Sequence, residues 1–489
     1  MLRARWIVGL VICAVAAAGV AGCGSSGSSG SPLQTEFSYL PANSPLVLTI
    51  QTDPNSAGVK NTMAFLGRFS FAPLLESAVI TRLRQAGVDY NADVKPLFGN
   101  PVVFAIPAAS LYRSGGGRNY VAVWVTKSSS ALNSLIQRTS SGLRKLGSRG
   151  SATLYGAGGR TAIAVDGATL VVGATRESVI AALDRHAQGG GVSMASYAAN
   201  TAGLPTDAEI QVFGNVQQLL TGNPRASSAL RVPWVAAIRG YGVSIGASSS
   251  GTTVRYHVDT TGSSLSPAQL PLSSAAPVPA LPTGFPIAAG LQDPQHLITF
   301  IESAEQLAAP GKWATFQRRQ AALRAKTGTD ITALLHQLTG NLVIASNLHA
   351  TFGRADVADP KATAATLAKL LKDPRDAFQT GTVTRAGNAY VFKKPKGDVI
   401  LELVGSRLAV GNKTTAAQVH AFASAPTAPA AGAQGPVAFS VALPQLLSLV
   451  SRSASSRIPP ALISTLGNLT GWASNTASGL NGTASLAFK

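Results

Sequence analysis

Ser244 lies in Gly242-Val243-Ser244-Ile245-Gly246, the G-x-S-x-G spacing that in acyl hydrolases sets a nucleophile on a sharp turn between a strand and a helix. Its neighbours predict something else. Gly242–Ala247 reads as a strand and Ser248-Ser249-Ser250-Gly251 as a hairpin turn, so the hydroxyl falls mid-strand. The six histidines, His186, His257, His296, His336, His349 and His420, include no i, i+4 pair, and no Cys-x-x-Cys accompanies them. That spacing fits no familiar zinc pattern. His186 and His420 end corresponding helices, where an imidazole suits the negative end of the dipole. Asp53 with Asp293, and Asp89 with Asp330, read as turn and cap formers, and no calcium-loop pattern occurs. The glycine runs at 156–159 and 189–191 lack the strand–loop–helix order of a phosphate cradle and read as loops. No catalytic residue, metal ligand or cofactor-binding residue is expected.

The one side chain whose context implies covalent chemistry is Cys23. Arg3 and Arg5 precede an apolar run from Trp6 to Val20, and Val20-Ala21-Gly22 then leads into Cys23. A charged start, an apolar stretch and small residues at its end make an export signal. The aliphatic-small-small-Cys sequence resembles the lipobox of bacterial lipoproteins. That resemblance implies diacylglycerol on the Cys23 thiol, cleavage before it and acylation of the new amino terminus. Cys13 lies inside the leader, so the mature chain has no second thiol and no internal disulfide. Gly24-Ser25 through Thr35 then reads as a flexible tether holding the folded body near the lipid.

The charge balance is basic, with 40 Lys and Arg against 21 Asp and Glu. Both halves share the excess, so it is not a detached basic tail. Attraction to anionic lipid or to an anionic wall polymer follows from such a field, and a chain exported from the cytoplasm is not expected to meet nucleic acid. Apolar residues at 46% and charged residues at 12% suit folded cores. The basic stretch Lys393-Lys394-Pro395-Lys396 reads as a solvated turn.

The elements that would carry these residues occur twice. Leu40-Pro41-Ala42-Asn43-Ser44-Pro45 recurs as Leu281-Pro282-Thr283-Gly284-Phe285-Pro286, and Leu97-Phe98-Gly99-Asn100 as Leu338-Thr339-Gly340-Asn341. Gly167-Ala168-Thr169-Leu170-Val171-Val172-Gly173 matches Gly405 to Gly411, and Gln218-Leu219-Leu220 matches Gln445-Leu446-Leu447. The order is kept while the offset shrinks, which describes tandem domains of more than 200 residues with deletions in the second. The expected division is a leader at 1–22, a tether at 23–35, domains at 36–262 and 281–489, and a Pro/Ser-rich linker at 263–280. A low-complexity run from Ala423 to Pro436 replaces a longer segment of copy one.

Within each copy strands and helices alternate. Leu46–Ile50, Val102–Ile106 and Tyr120–Thr126 read as strands, with Ser114–Gly117 a reversing loop. Asn61–Leu66 and Leu74–Gln85 read as helices, as does a segment capped at Ser128 or Ser129 with Leu132, Leu135, Ile136, Leu143 and Leu146 on one face. Hairpins turn at Asp166-Gly167 and Gly405-Ser406, and each copy closes with a further hairpin. Hairpins outnumber strand–helix–strand crossovers. The expected class is therefore α+β, twice, each domain a mainly antiparallel or mixed sheet with helices packed on one face.

Two further runs carry a family resemblance. These are Leu40–Pro45 before a strand with Asp53-Pro54, and Asp93-Val94-Lys95-Pro96-Leu97-Phe98-Gly99-Asn100 leading into another. With Ser196-Tyr197 and Leu204-Pro205-Thr206-Asp207-Ala208, they resemble the actinobacterial and cyanobacterial domain of unknown function 3352. Copy two lacks the Tyr197 segment and has Gln337 in place of Pro96. The resemblance implies no activity. The expectation is a non-enzymatic, lipid-anchored envelope protein on the outer face of the cytoplasmic membrane, with a binding or organising role. The alternatives are a carrier of a lipid or lipoglycan in a cleft between the domains, and, on Ser244, a serine hydrolase.

Overall fold

The computed structural model describes residues 31–489 apart from 70–71, 108–118, 158–159, 222–225, 379–381, 396, 454–459 and 477. Cys23, the leader, most of the tether and the Ser114–Gly117 loop lie outside the described residues. The chain forms two compact units. One holds the described residues up to 224 with Ile238–Asp259, and the other holds 225–237 with Thr260–Lys489. The expected first domain ran unbroken to 262; the segment around Trp234 instead groups with the second unit, where its indole meets the Phe300 ring at 6.5 Å.

The first unit has strands β1 (Leu46–Ile50), β2 (Val102–Ile106), β3 (Val121–Val125), β4 (Arg144–Arg149), β5 (Ala152–Gly156), β6 (Ala162–Asp166), β7 (Thr169–Gly173), β8 (Ile210–Gly214), β9 (Gly240–Ser248) and β10 (Gly251–Asp259). They pair in the order β4-β5-β6-β7-β3-β2-β1-β8-β9-β10, antiparallel throughout. The second unit has β11 (Ala280–Pro282), β12 (Ile287–Gln292), β13 (Leu338–Ser346), β14 (Thr351–Val357), β15 (Val383–Ala386), β16 (Ala389–Phe392), β17 (Val399–Val404), β18 (Arg407–Asn412), β19 (Thr427–Pro429), β20 (Val437–Ala442), β21 (Leu466–Thr476) and β22 (Gly479–Phe488). Their order is β15-β16-β17-β18-β14-β13-β12-β20-β21-β22, again antiparallel, with β11 and β19 paired separately. Strand for strand, the two sheets have one topology. The register agrees too: Val121 faces Gly173 in one, and Phe352 faces Gly411 in the other.

The α+β class and the antiparallel sheet stand as expected. The helices, expected on one face, line both. In the first unit Ala122, Trp124, Ile163 and Leu170 pack with Leu83, Leu132 and Ile136 of helices Ala72–Gln85 and Ser129–Thr139. The alternate residues Val121, Val123, Ala164 and Val171 pack with Phe37, Val179 and Leu183 of helices Pro32–Ser38 and Arg176–Gln188. The second unit repeats this, with Leu408 and Leu401 against Leu367 and Leu370 of helix Pro360–Leu370, and Ala409 and Ile400 against Val419 of helix Ala416–Ser424. A strand such as β3, Val-Ala-Val-Trp-Val, is apolar at every position because both of its faces are buried.

Three local expectations change. Leu143 and Leu146 do not continue the Ser129–Thr139 helix; Leu146 sits in β4, where a hairpin begins. The tether ends sooner than Thr35, because Pro32 starts a helix whose Phe37 is fully buried. The Pro/Ser stretch is not a free linker: the Leu270 carbonyl lies 2.9 Å from His296 Nε2, and Asn475 Nδ2 donates to the Leu272 carbonyl at 3.1 Å. The run after Ala423 contributes β19.

Candidate functional site

Ser244 is 2% exposed in the middle of β9, flanked by Gln211 of β8 and Arg255 of β10. No strand–turn–helix elbow surrounds it. His186 sits in the last turn of its helix as expected, whereas His420 lies in the middle of Ala416–Ser424 and does not end it. His186 Nδ1 sits 2.5 Å from Ser38 Oγ with its ring stacked on Tyr39 at 4.1 Å, and His420 Nδ1 sits 2.9 Å from Glu402 Oε1. The aspartates act as read. Asp89 accepts the Ala92 N–H and Asp330 the Ala333 N–H, both at 2.8 Å, while Asp53 accepts from Asn55 and Asp293 from His296. Lys393 pairs with Asp398 at 2.6 Å within the basic turn. Among the described residues no group of three His, Cys, Asp or Glu side chains could hold a metal ion. Ser244, the histidines, the paired aspartates and Lys393 line neither of the two hollows described next.

Two other places have the geometry of binding sites. In the second unit, helix Pro310–Thr327 carries Lys312, Arg318, Arg319, Arg324 and Lys326 and no acidic residue. Its buried residues, Leu323 and Thr327, lie at its C-terminal end, where Gln320 accepts the Ile331 N–H at 3.0 Å and Gly328 follows at φ 78°. Arg324 is paired with Asp330 there, and Lys326 with Asp373 and Asp376. Lys312, Arg318 and Arg319 are exposed and have no acidic partner among the described residues. Lys312, Thr315, Phe316 and Arg319 follow i, i+3, i+4, i+7 spacing, so they form one stripe, and that stripe borders a shallow hollow of 360 Å³. Trp313 stacks on Phe316 at 5.2 Å. Helix Pro294–Ala308 leaves Ile301 48% and Leu307 38% exposed. The stripe thus sets the Phe316 ring between two cations, Lys312 and Arg319.

In the first unit, the turn before β1, helix Met194–Asn200, the end of β8 and the adjoining ends of β9 and β10 enclose a hollow of 250 Å³. Asn43, Ser44, Asn200, Asn215, Arg239 and Asp259 supply its polar groups. The backbone is close-fitted there: a Cβ on Gly240 would overlap Asn200 Oδ1. Sequence reasoning read Ala42, Asn43, Ser44 and Ser196 only as parts of repeat and family motifs and gave neither place a binding role. The signal for the helix was legible as five cations without an acid in eighteen residues; the hollow is assembled from segments more than 200 residues apart.

No protein-family profile matches the chain, and no curated protein is similar to it. Among solved structures, crystal forms III and I of TP0453 superpose at a TM-score of 0.28, with 10% identity, over 49% of this chain and 83% of theirs. Form IV superposes at 0.28 with 11% identity, over 46% and 80%. A superposition that loose carries no argument about this chain.

Proposed function

We propose that this is a lipid-anchored, non-enzymatic protein of the outer face of the cytoplasmic membrane, with a binding or organising role there, and that it meets anionic lipid through helix Pro310–Thr327. The observation that carries the reading is the stripe Lys312, Thr315, Phe316 and Arg319, cationic at both ends and aromatic between. A basic helix with aromatic residues favours a headgroup layer: rings enter the interface and each cation near an anionic surface contributes about 1 kcal/mol. The leader and the acylation site at Cys23 would deliver the body to such a surface, and the basic helix would then act on a body already held there. The sequence resemblance to domain of unknown function 3352 belongs to the same proposal and adds no activity to it.

Two measurements test it. Intact-mass analysis of the native protein should find the leader removed and Cys23 acylated; an unmodified thiol at 23 removes the anchor from the proposal. Mature-length protein beginning at position 23, with Cys23→Ser, should sediment with phosphatidylglycerol-containing vesicles and not with pure phosphatidylcholine. Lys312→Gln with Arg319→Gln should weaken that partition roughly 30-fold, two cations at about 1 kcal/mol each. Partition indifferent to phosphatidylglycerol would overturn the assignment of this surface.

A further inference from the structure

We propose that the hollow of the first unit is a binding site for a small, uncharged polyhydroxylated group the size of a monosaccharide. Its 250 Å³ lies below the range of drug-sized pockets, so it takes one compact group. Three side-chain amides, Asn43, Asn200 and Asn215, line it with Ser44; the Ser44 hydroxyl donates to the Pro41 carbonyl at 2.7 Å and Asn215 Oδ1 accepts the Gln218 N–H at 3.2 Å, which leaves the Ser44 oxygen as an acceptor and the Asn215 amide as a donor. One guanidinium, Arg239, and one carboxylate, Asp259, balance in charge, which favours a neutral ligand with many hydroxyls over an anion. The two are tied at the backbone, Arg239 N–H donating to the Asp259 carbonyl at 2.8 Å. Val47, Val192 and Phe213 supply the apolar wall that the C–H face of a sugar ring would need.

The second unit is an internal control, because it keeps the fold and drops the polar set. Through the shared register, Asn43 and Ser44 correspond to Gly284 and Phe285, Asn215 to Ala442 and Arg239 to Gly467. Phe285 packs edge-on against Phe352 at 5.7 Å and Phe422 at 5.3 Å. The helix Met194–Asn200 that walls the hollow has no counterpart there: β18 and helix Ala416–Ser424 lead straight to β19. Folding this topology therefore does not require amides and a guanidinium at these positions. The polar cluster present in one copy and replaced by an aromatic ring in the other is thus available to a ligand without being demanded by the fold.

Saturation-transfer NMR on the full-length protein in a sugar-free detergent tests this with glucose, galactose, mannose and N-acetylglucosamine, and with phosphate and glycine as charged probes. At least one monosaccharide should receive saturation at millimolar concentration. Asn43→Leu and Arg239→Leu, both exposed positions, should weaken its binding about tenfold or more. Ser44→Phe, the residue of the second copy, should abolish it. Transfer to none of the four sugars, to phosphate or glycine alone, or transfer undiminished in the three variants would overturn the proposal. The vesicle measurement above reports on a different unit and neither rescues nor sinks this one.

Discussion

Glu36 Oε1 accepts the backbone N–H of Val125 at 2.9 Å, from a side chain that is fully buried. Val125 is where β3 outlasts β2, whose last pair is Val102 with Trp124. The two polar groups of Val125 on that side are met by side chains instead of a strand: Asn100 Nδ2 donates to its carbonyl at 2.8 Å. Helix Pro32–Ser38, the first described element after the tether, is thus fastened to the sheet through one carboxyl whose other oxygen has no partner among the described residues.

Burial pushes the Glu36 carboxyl up to about 9, against a smaller lowering by the Val125 N–H, so it is protonated in the folded protein near neutrality. Its folded value lies above its unfolded value of 4.5. The contribution to stability is therefore complete below the unfolded value and is lost as pH rises through about 9. The loss amounts to about 6 kcal/mol. Urea denaturation of the first unit between these limits should show stability falling with pH in the native protein. Glu36→Gln keeps an acceptor for Val125 and should flatten that slope; equal slopes in the two proteins would assign the pH dependence elsewhere.

Arg354 stands where the first unit has the fully buried Val123, and it is itself buried. The reason is the shorter helix above it. Helix Arg176–Gln188 has 13 residues and ends at a glycine cap, Gly189, whereas Ala416–Ser424 has 9, and its last carbonyls meet Arg354 of β14. Arg354 Nη1 donates to the carbonyls of Phe422, Ala423 and Ala425 at 2.8, 3.1 and 2.9 Å, and the guanidinium stands 5.4 Å from the Phe422 ring. Arg354→Val, restoring the residue of copy one, should therefore destabilise by about 3 kcal/mol, because the carbonyls stay buried and lose their donor. Hydrogen exchange in 416–424 should accelerate in this variant. Unchanged protection would mean that those carbonyls find other donors.

Gly240→Ala should act on the hollow without touching its charges. The new methyl would displace Asn200 and press on the Gly214 carbonyl, an overpacking cost of about 1–3 kcal/mol. Thermal denaturation should show the loss, and any saturation transfer to a monosaccharide should fall with it. A variant of native stability would show that the strand end shifts freely to make room.

Ser244 should resist a fluorophosphonate probe in the folded protein, because its hydroxyl is held in a three-strand interior position at 2% exposure. Labelling at Ser244 under native conditions would revive the hydrolase reading.

Much of this architecture is written in local patterns. Asp166-Gly167 turns a hairpin because Gly167 takes φ 58°, and Thr415 with Gln418 closes a capping box; both depend on residues a few positions apart. The duplication was legible for the same reason, as short motifs recurring in order. The strand runs were visible too, but a run such as β3 does not say how many of its faces are covered, and only the tertiary packing placed helices on both. The hairpin beginning at Arg144 was hidden because leucines at 143 and 146 extend a helical period by accident. The partners that matter most were beyond reach. Glu36 meets a residue 89 positions away and Arg354 meets carbonyls 68 to 71 positions away. Asn43 and Asp259 come together through strand pairings that span the first unit. Periodicity and turn chemistry are properties of neighbours along the chain, and the sequence determined those by itself; a buried carboxyl, a substituted core arginine and a polar hollow exist only once the sheet has brought distant segments within hydrogen-bonding distance.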